Sequence, residues 1–218
     1  MTFVLRTLGV TWGLLASCSV RPARPRLDDV PAATTQALVV RADVGTPPRA
    51  SVEAWSRDAD GWRRAFAPMD AVVGRSGIVA NAAKREGDGG TPAGTHRLGI
   101  AFGAAAHVAT KLDYRQATAN DWWIDEPSSP SYNRWVSGKP AVSAEAMQRT
   151  DGQYELGAVI EWNTSPVVPG RGSAIFLHVW KGPDRPTAGC VALARDDVAT
   201  LLAWLDRAAE PVIVIETR

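Results

Sequence analysis

The chain has 218 residues, 24 Lys and Arg against 23 Asp and Glu, and 45 % hydrophobic residues. A near-neutral balance gives no support for a nucleic-acid partner, which needs a basic excess, and the length fits one well-cored domain. With two cysteines, three histidines and no Cys-x-x-Cys pair, the chain lacks the ligand spacing of a metal centre.

The N-terminal segment carries one positive side chain, Arg6, then an apolar stretch ending in Leu14-Leu15-Ala16-Ser17-Cys18. This is the outline of a secretory signal, too short for a spanning helix of roughly 20 apolar residues. Small residues ahead of the cysteine resemble a bacterial lipobox. The expectation is a leader over 1–17 and a lipid-modified Cys18 that ties the mature protein to a membrane. An ordinary cleaved signal or a buried start helix are the alternatives. Residues 18–35, rich in proline and charge without an apolar period, read as a tether. The 17 residues after Cys18 span at most about 56 Å when fully extended.

A single domain is expected over 36–218. Residues 36–43 and 50–57 read as strands, with Asp58-Ala59-Asp60-Gly61 as a hairpin turn and 62–66 as the returning strand. Short β segments follow at 71–74 and 77–81, and further strands at 154–162 and 173–180. From Asp196, Val198, Leu201, Leu202 and Leu205 recur at helical spacing, with Asp196 and Asp197 in the first turn. Pro211 closes the helical stretch and Val212–Ile215 forms a last buried strand. The fold is therefore mainly β, a curled sheet or sandwich with one or two helices. The interval 99–153 has no clear period; its Trp, Pro, Ser and Asn content points to long loops around a cleft.

Cys190 is the residue with the most chemistry. It ends a Thr187-Ala188-Gly189-Cys190 turn, twelve positions after His178, which closes the apolar run Ala174-Ile175-Phe176-Leu177. With Cys18 committed to lipid, Cys190 has no partner within the chain. A lone thiol in an exported protein points to reactivity, against the plain alternative of a small buried hydrophobe. A cysteine attacks as the thiolate, and its free pKa of about 8.5 calls for help. His178 supplies it by accepting the proton or by pairing as imidazolium. Gly189 allows backbone N–H groups to approach a substrate carbonyl, and the helix that follows adds positive potential, together the parts of an oxyanion hole. Thr187 either binds substrate or holds the turn. His96 and His107 read as structural or solvated. Thiol acyl transfer calls for no cofactor.

Two stretches resemble the L,D-transpeptidase catalytic domain, the YkuD-like family. One runs from Lys84 through Gly87-Asp88-Gly89-Gly90-Thr91-Pro92-Ala93-Gly94-Thr95 to Leu98; the other runs from His178 through Thr187-Ala188-Gly189-Cys190 to Leu193. Asn133-Arg134 and 166–178 look like a divergent branch of it. The resemblance covers most of 36–218. It implies a cysteine nucleophile at Cys190 and His178 as general acid/base. Backbone donors come from Gly189 and Cys190, and the substrates are peptidoglycan stem peptides. The implied reaction attacks the carbonyl of an L-centre, releases the terminal D-residue, and passes the thioester to an amine or to water. This branch departs from better-known members at Ala188, where they have His, at Ala192, where they often have Arg or Asn, and at Val179, where Gly is usual. Its interval from histidine to cysteine is also short. Those changes leave transfer and hydrolysis open.

The expected protein is thus an envelope enzyme, facing the periplasm or cell wall. An L,D-carboxypeptidase or crosslink hydrolase using the same dyad, and a peptidoglycan-binding lipoprotein without activity, are the competing readings. Trp122, Trp123, Trp135, Trp162 and Trp180 either fill the core or line a groove for the glycan or peptide. Lys84, Arg85, Glu86 and Asp88 read as a solvated loop rather than as substrate contacts.

Overall fold

The computed structural model describes residues 27–43 and 48–218; the expected leader and Cys18 lie outside them. The first strands are β1 Gln36–Ala42, β2 Arg49–Asp58, β3 Gly61–Arg64, β4 Met69–Val72, β5 Ile78–Val79, β6 Thr91–Pro92 and β7 Gly94–Gly103. Then come β8 Tyr114–Gln116, β9 Asp121–Ile124, β10 Trp135–Ser137, β11 Ala144–Ala146 and β12 Leu156–Ile160. β13 Phe176–Val179, β14 Val191–Leu193, helix α1 Arg195–Trp204 and β15 Val212–Thr217 complete the chain.

The large sheet runs β1-β15-β7-β12-β13-β14-β4-β2-β3. Because β1 also pairs with β2, the sheet curls until its ends meet. Closure removes most of the edge that an open sheet would expose. Parallel pairs β1–β15 and β13–β14 sit among antiparallel ones, so the sheet is mixed. This is the mainly β, curled architecture read from the sequence.

Alternation along the strands separates two apolar faces. Ala101, Ala158, Ile160, Leu177 and Leu193 pack on one face, where Val198, Leu201, Leu202 and Leu205 fill the remaining space. Phe102, Val159, Phe176 and Cys190 point the other way and pack with Trp123, Met147 and Tyr154. That second face is covered by a small antiparallel sheet, β10-β9-β11. The interval 99–153 is thus not simply loops. Its strands, of three or four residues each, are too short to show a period.

The segment expected to be the end of a tether is also ordered. Leu27 and Val30 are buried against Ala37, Val39, Val212 and Val214, and the Thr35 amide donates to the Ala209 carbonyl (2.8 Å). Two apolar residues nine and six positions before a strand can cover one patch without any helical or strand period, which is why the sequence pattern missed them.

Candidate active site

β13 and β14 are parallel neighbours, with Leu177 beside Val191 and His178 beside Ala192. The connecting loop reaches across to the end of β4 before it returns. There the Thr187 amide donates to the Val73 carbonyl (3.0 Å) and the Arg75 amide to the Thr187 carbonyl (3.0 Å). Cys190 sits one residue before β14, and the Phe176 amide donates to its sulfur (3.4 Å). Phe176 and His178 share a face of β13. Neighbouring strands about 4.8 Å apart and two residues along a strand place the Cα atoms of Cys190 and His178 about 8 Å apart. Thiol and imidazole border one cavity of about 530 Å³.

The turn before Cys190 is held by its own threonine. Thr187 Oγ1 donates to the Cys190 carbonyl (2.7 Å) and accepts from the Gly189 amide (3.1 Å). Of the two roles open to Thr187, the geometry selects holding the turn, and the Gly189 donor is spent there too. Gly189 has φ +149°, and a Cβ on it would meet the Gly90 carbonyl and Ile175 Cδ1, each at 3.0 Å. No other residue fits without a shift. The glycine loop and the cysteine turn therefore touch: besides the Gly90 contact, Thr91 Oγ1 lies 3.5 Å from the Cys190 carbonyl and accepts from the Gly74 amide (2.9 Å). The helix expected to reinforce the thiol does not reach it. Three residues lie between Cys190 and Ala194, the residue before α1, a path of about 13 Å over four steps of strand.

The dyad rests in its neutral form. His178 is 3 % exposed, and its Nδ1 lies 2.8 Å from the Val179 carbonyl. A carbonyl only accepts, so Nδ1 carries the proton and Nε2 keeps its lone pair. Burial brings the imidazole pKa down to about 4, with the Val179 carbonyl acting against it. Burial, with Glu145 second, pushes the Cys190 thiol up to about 12, while the Phe176 amide works the other way. The thiol donates to the Ala174 carbonyl (3.3 Å). Of the two roles expected for His178, this setting favours a base that takes the proton during attack over a standing imidazolium–thiolate pair.

The rest of the cavity wall is charged. Lys84 is buried, and its ammonium is held by Asp88 Oδ1 (2.7 Å) and the Arg85 carbonyl (2.8 Å). Glu86 accepts from the Tyr132 hydroxyl and from Ser173 Oγ (2.8 Å). Lys84 and Glu86 both border the cavity, so the segment read as a solvated loop is part of the site. None of the five tryptophans borders it. Trp123 and Trp162 are buried, and Trp122, Trp135 and Trp180 are half-buried. His96 is buried edge-on against Trp162 and His107 is exposed, both away from the dyad. Among the described residues no group of three or more His, Cys, Asp and Glu is placed to hold a metal ion.

Among the cavity residues that sequence reasoning missed are Glu145, Arg149 and Tyr154. Tyr154 packs edge-on against His178, ring centroids 5.2 Å apart, and hydrogen-bonds Glu145. Asn133, noted only within its motif, is buried with φ 56°. It accepts from Trp123 Nε1 (2.8 Å) and the Ala174 amide (3.1 Å), and donates to the Trp162 and Asn163 carbonyls (3.0 and 2.8 Å). It ties the small sheet to the strand entering the site.

A thiol and an imidazole, brought together by adjacent parallel strands beside a glycine-lined turn, border one cavity. Residues 52–214 match the family model of the L,D-transpeptidase catalytic domain. The chain belongs to that family, whose chemistry is on peptidoglycan stem peptides. No curated protein and no solved structure matches the chain.

Proposed function

We propose that this protein is an envelope L,D-transpeptidase that works through a thioester at Cys190. The observation that carries the reading is the shared cavity of Cys190 and His178, with the His178 tautomer set by the Val179 carbonyl. His178 Nε2 takes the thiol proton as sulfur attacks the carbonyl of an L-centre in a stem peptide. The Phe176 amide, 3.4 Å from sulfur, favours the thiolate as it forms. Because Thr187 occupies the Gly189 amide, we assign the oxyanion to the Cys190 N–H. His178 then protonates the departing D-residue, and an amine or water resolves the thioester.

Membrane attachment through lipid at Cys18, and with it an envelope location, belong to the same proposal; Leu15-Ala16-Ser17-Cys18 supports them. Hydrolysis by the same dyad, giving an L,D-carboxypeptidase, is the second reading, since water and amine meet one thioester. Purified protein incubated with defined muropeptides, followed by mass spectrometry, separates the two. Cys190→Ala is expected to abolish turnover in a folded protein. His178→Ala is expected to slow it by about 10²–10⁴. Full activity in either variant would overturn the assignment.

A further inference from the structure

Glu145 is a carboxylate in an unexpected place. It stands on β11, opposite Trp123 of β9, borders the cavity of Cys190, and leaves 29 % of its side chain exposed there. Its charge pushes the thiol up, which works against acylation. A residue that hinders the first half of a reaction yet lines its cavity points to the second half.

Its neighbours agree. Arg149 reaches Glu145 only at 3.5 Å, while its guanidinium holds Asp151 in two bonds of 3.0 and 2.6 Å. Glu145 therefore has only the weaker share of the Arg149 charge, and with Tyr154 as its other neighbour it is partly neutralised. Two more carboxylates of the cavity, Asp125 and Glu86, add negative potential at Glu145. Asp125 Oδ1 is buried and has no hydrogen-bond partner among the described residues. Glu86 is already engaged by Tyr132 and Ser173. This leaves Glu145, on β11, and Asp125, just past the end of β9, as a side of the cavity suited to an ammonium group. Burial also raises the proton affinity of Glu145, which suits a base that must keep a proton for a time.

We propose that Glu145 binds the ammonium group of the incoming acceptor and removes one proton from it, so that this carboxylate decides between transfer and hydrolysis. The proposal rests on Cys190 as the acylated residue. The acceptor enters as R–NH3+ and gives one proton to the Glu145 carboxylate. The resulting amine forms the C–N bond at the thioester carbonyl, and its second proton passes to His178 Nε2. The C–S bond breaks, the sulfur takes that proton back from His178, and Glu145 releases the first proton to solvent. The net change is thioester plus ammonium to amide, thiol and one proton. Water brings no positive charge and gains nothing from Glu145.

The test compares two acceptors on wild type, Glu145→Gln and Glu145→Asp, with a stem tetrapeptide as donor. D-methionine is an ammonium at neutral pH; hydroxylamine is largely neutral there. Intact-protein mass spectrometry reads the acyl mass on Cys190, and peptide products give the ratio of transfer to hydrolysis. Glu145→Gln is expected to acylate still and to lose transfer to D-methionine by about 100-fold, with less than about a tenfold loss to hydroxylamine. Glu145→Asp, which keeps the charge, is expected to fall between Glu145→Gln and wild type. It carries the comparison where the glutamine variant fails to fold. An unaltered ratio, an equal loss with both acceptors, or a wild type that only hydrolyses overturns the role of Glu145 and leaves the dyad standing. Absence of any acyl mass on wild-type Cys190 overturns both readings.

Discussion

The two sheets that meet at the cavity are built on different principles. The large sheet is a product of alternation: Phe176 and Leu177 face opposite ways, and each finds a fully apolar cluster. The small sheet is held by one carboxylate. Asp121 Oδ1 accepts from Trp135 Nε1 (2.8 Å), Ser137 Oγ (2.8 Å) and Arg115 Nη2 (2.9 Å). Its Oδ2 accepts from the Thr118 amide (3.0 Å) and Thr118 Oγ1 (2.6 Å). Burial opposes ionisation, but these donors hold Asp121 well below the usual carboxylate range. The apolar sheet positions Cys190 and His178; the polar one brings Glu145 to their cavity. The thiol and imidazole are thus placed by packing, and this carboxylate by a sheet that hydrogen bonds hold.

Three measurements sharpen or break that contrast. The widest span belongs to the reactivity of Cys190. A thiol pushed up to about 12 holds a thiolate fraction that grows tenfold per pH unit below that point. Alkylation by iodoacetamide is therefore expected to rise by about 10³ between pH 7 and pH 10 in the folded protein. A plateau near neutral pH would mean a standing thiolate and would break the neutral-dyad account.

Next in size is Asp121→Ala. Five donors lose a charged acceptor, and bonds to charged groups contribute about 1.5–3 kcal/mol each, with strong non-additivity. A loss of about 3 kcal/mol is expected in denaturant unfolding, with a matching drop in turnover as the cavity wall loosens. A variant with unchanged stability and lost turnover would give Asp121 a direct chemical role instead.

The smallest is the acid limb of stability. The folded pKa of His178 is about 4 against 6.5 for the free side chain. Between those values the unfolded chain binds the proton and the folded one does not, so stability falls as pH falls. About 1.5 kcal/mol is expected to be lost between pH 6.5 and pH 5. His178→Gln removes this part and leaves the share of His96, which burial also lowers. Identical slopes in wild type and variant would show that His178 is not buried as a neutral base.

The same contrast explains what could be read in advance. Strands 36–43 and 50–57, the helix through Leu201 and Leu202, and the Cys190 turn follow from periodicity, turn residues and one isolated thiol. They all belong to the apolar sheet, where chain-local pattern and burial coincide. Glu145, Arg149 and Tyr154 had no such marker. Glu145 reaches the cavity on a three-residue strand, and Arg149 and Tyr154 reach it from the segment that follows, beside a small sheet that Asp121 and Asn133 fix through bonds spanning up to 41 positions in sequence. Lys84 misled for a related reason. A lysine in a charged, glycine-rich run reads as solvated, and only the fold shows its ammonium enclosed by Asp88 and the Arg85 carbonyl.

The order found at Leu27 and Val30 has a consequence for working distance. If lipid is attached at Cys18, as proposed, the eight residues 19–26 rather than the 17 of 19–35 lie between the anchor and the buried Leu27. Fully extended, these eight residues span at most about 26 Å, less than half the length of the longer leash. Under that proposal the domain stays within a thin shell next to its bilayer, and the geography of the wall, as much as the chemistry of the cavity, sets which stem peptides reach Cys190.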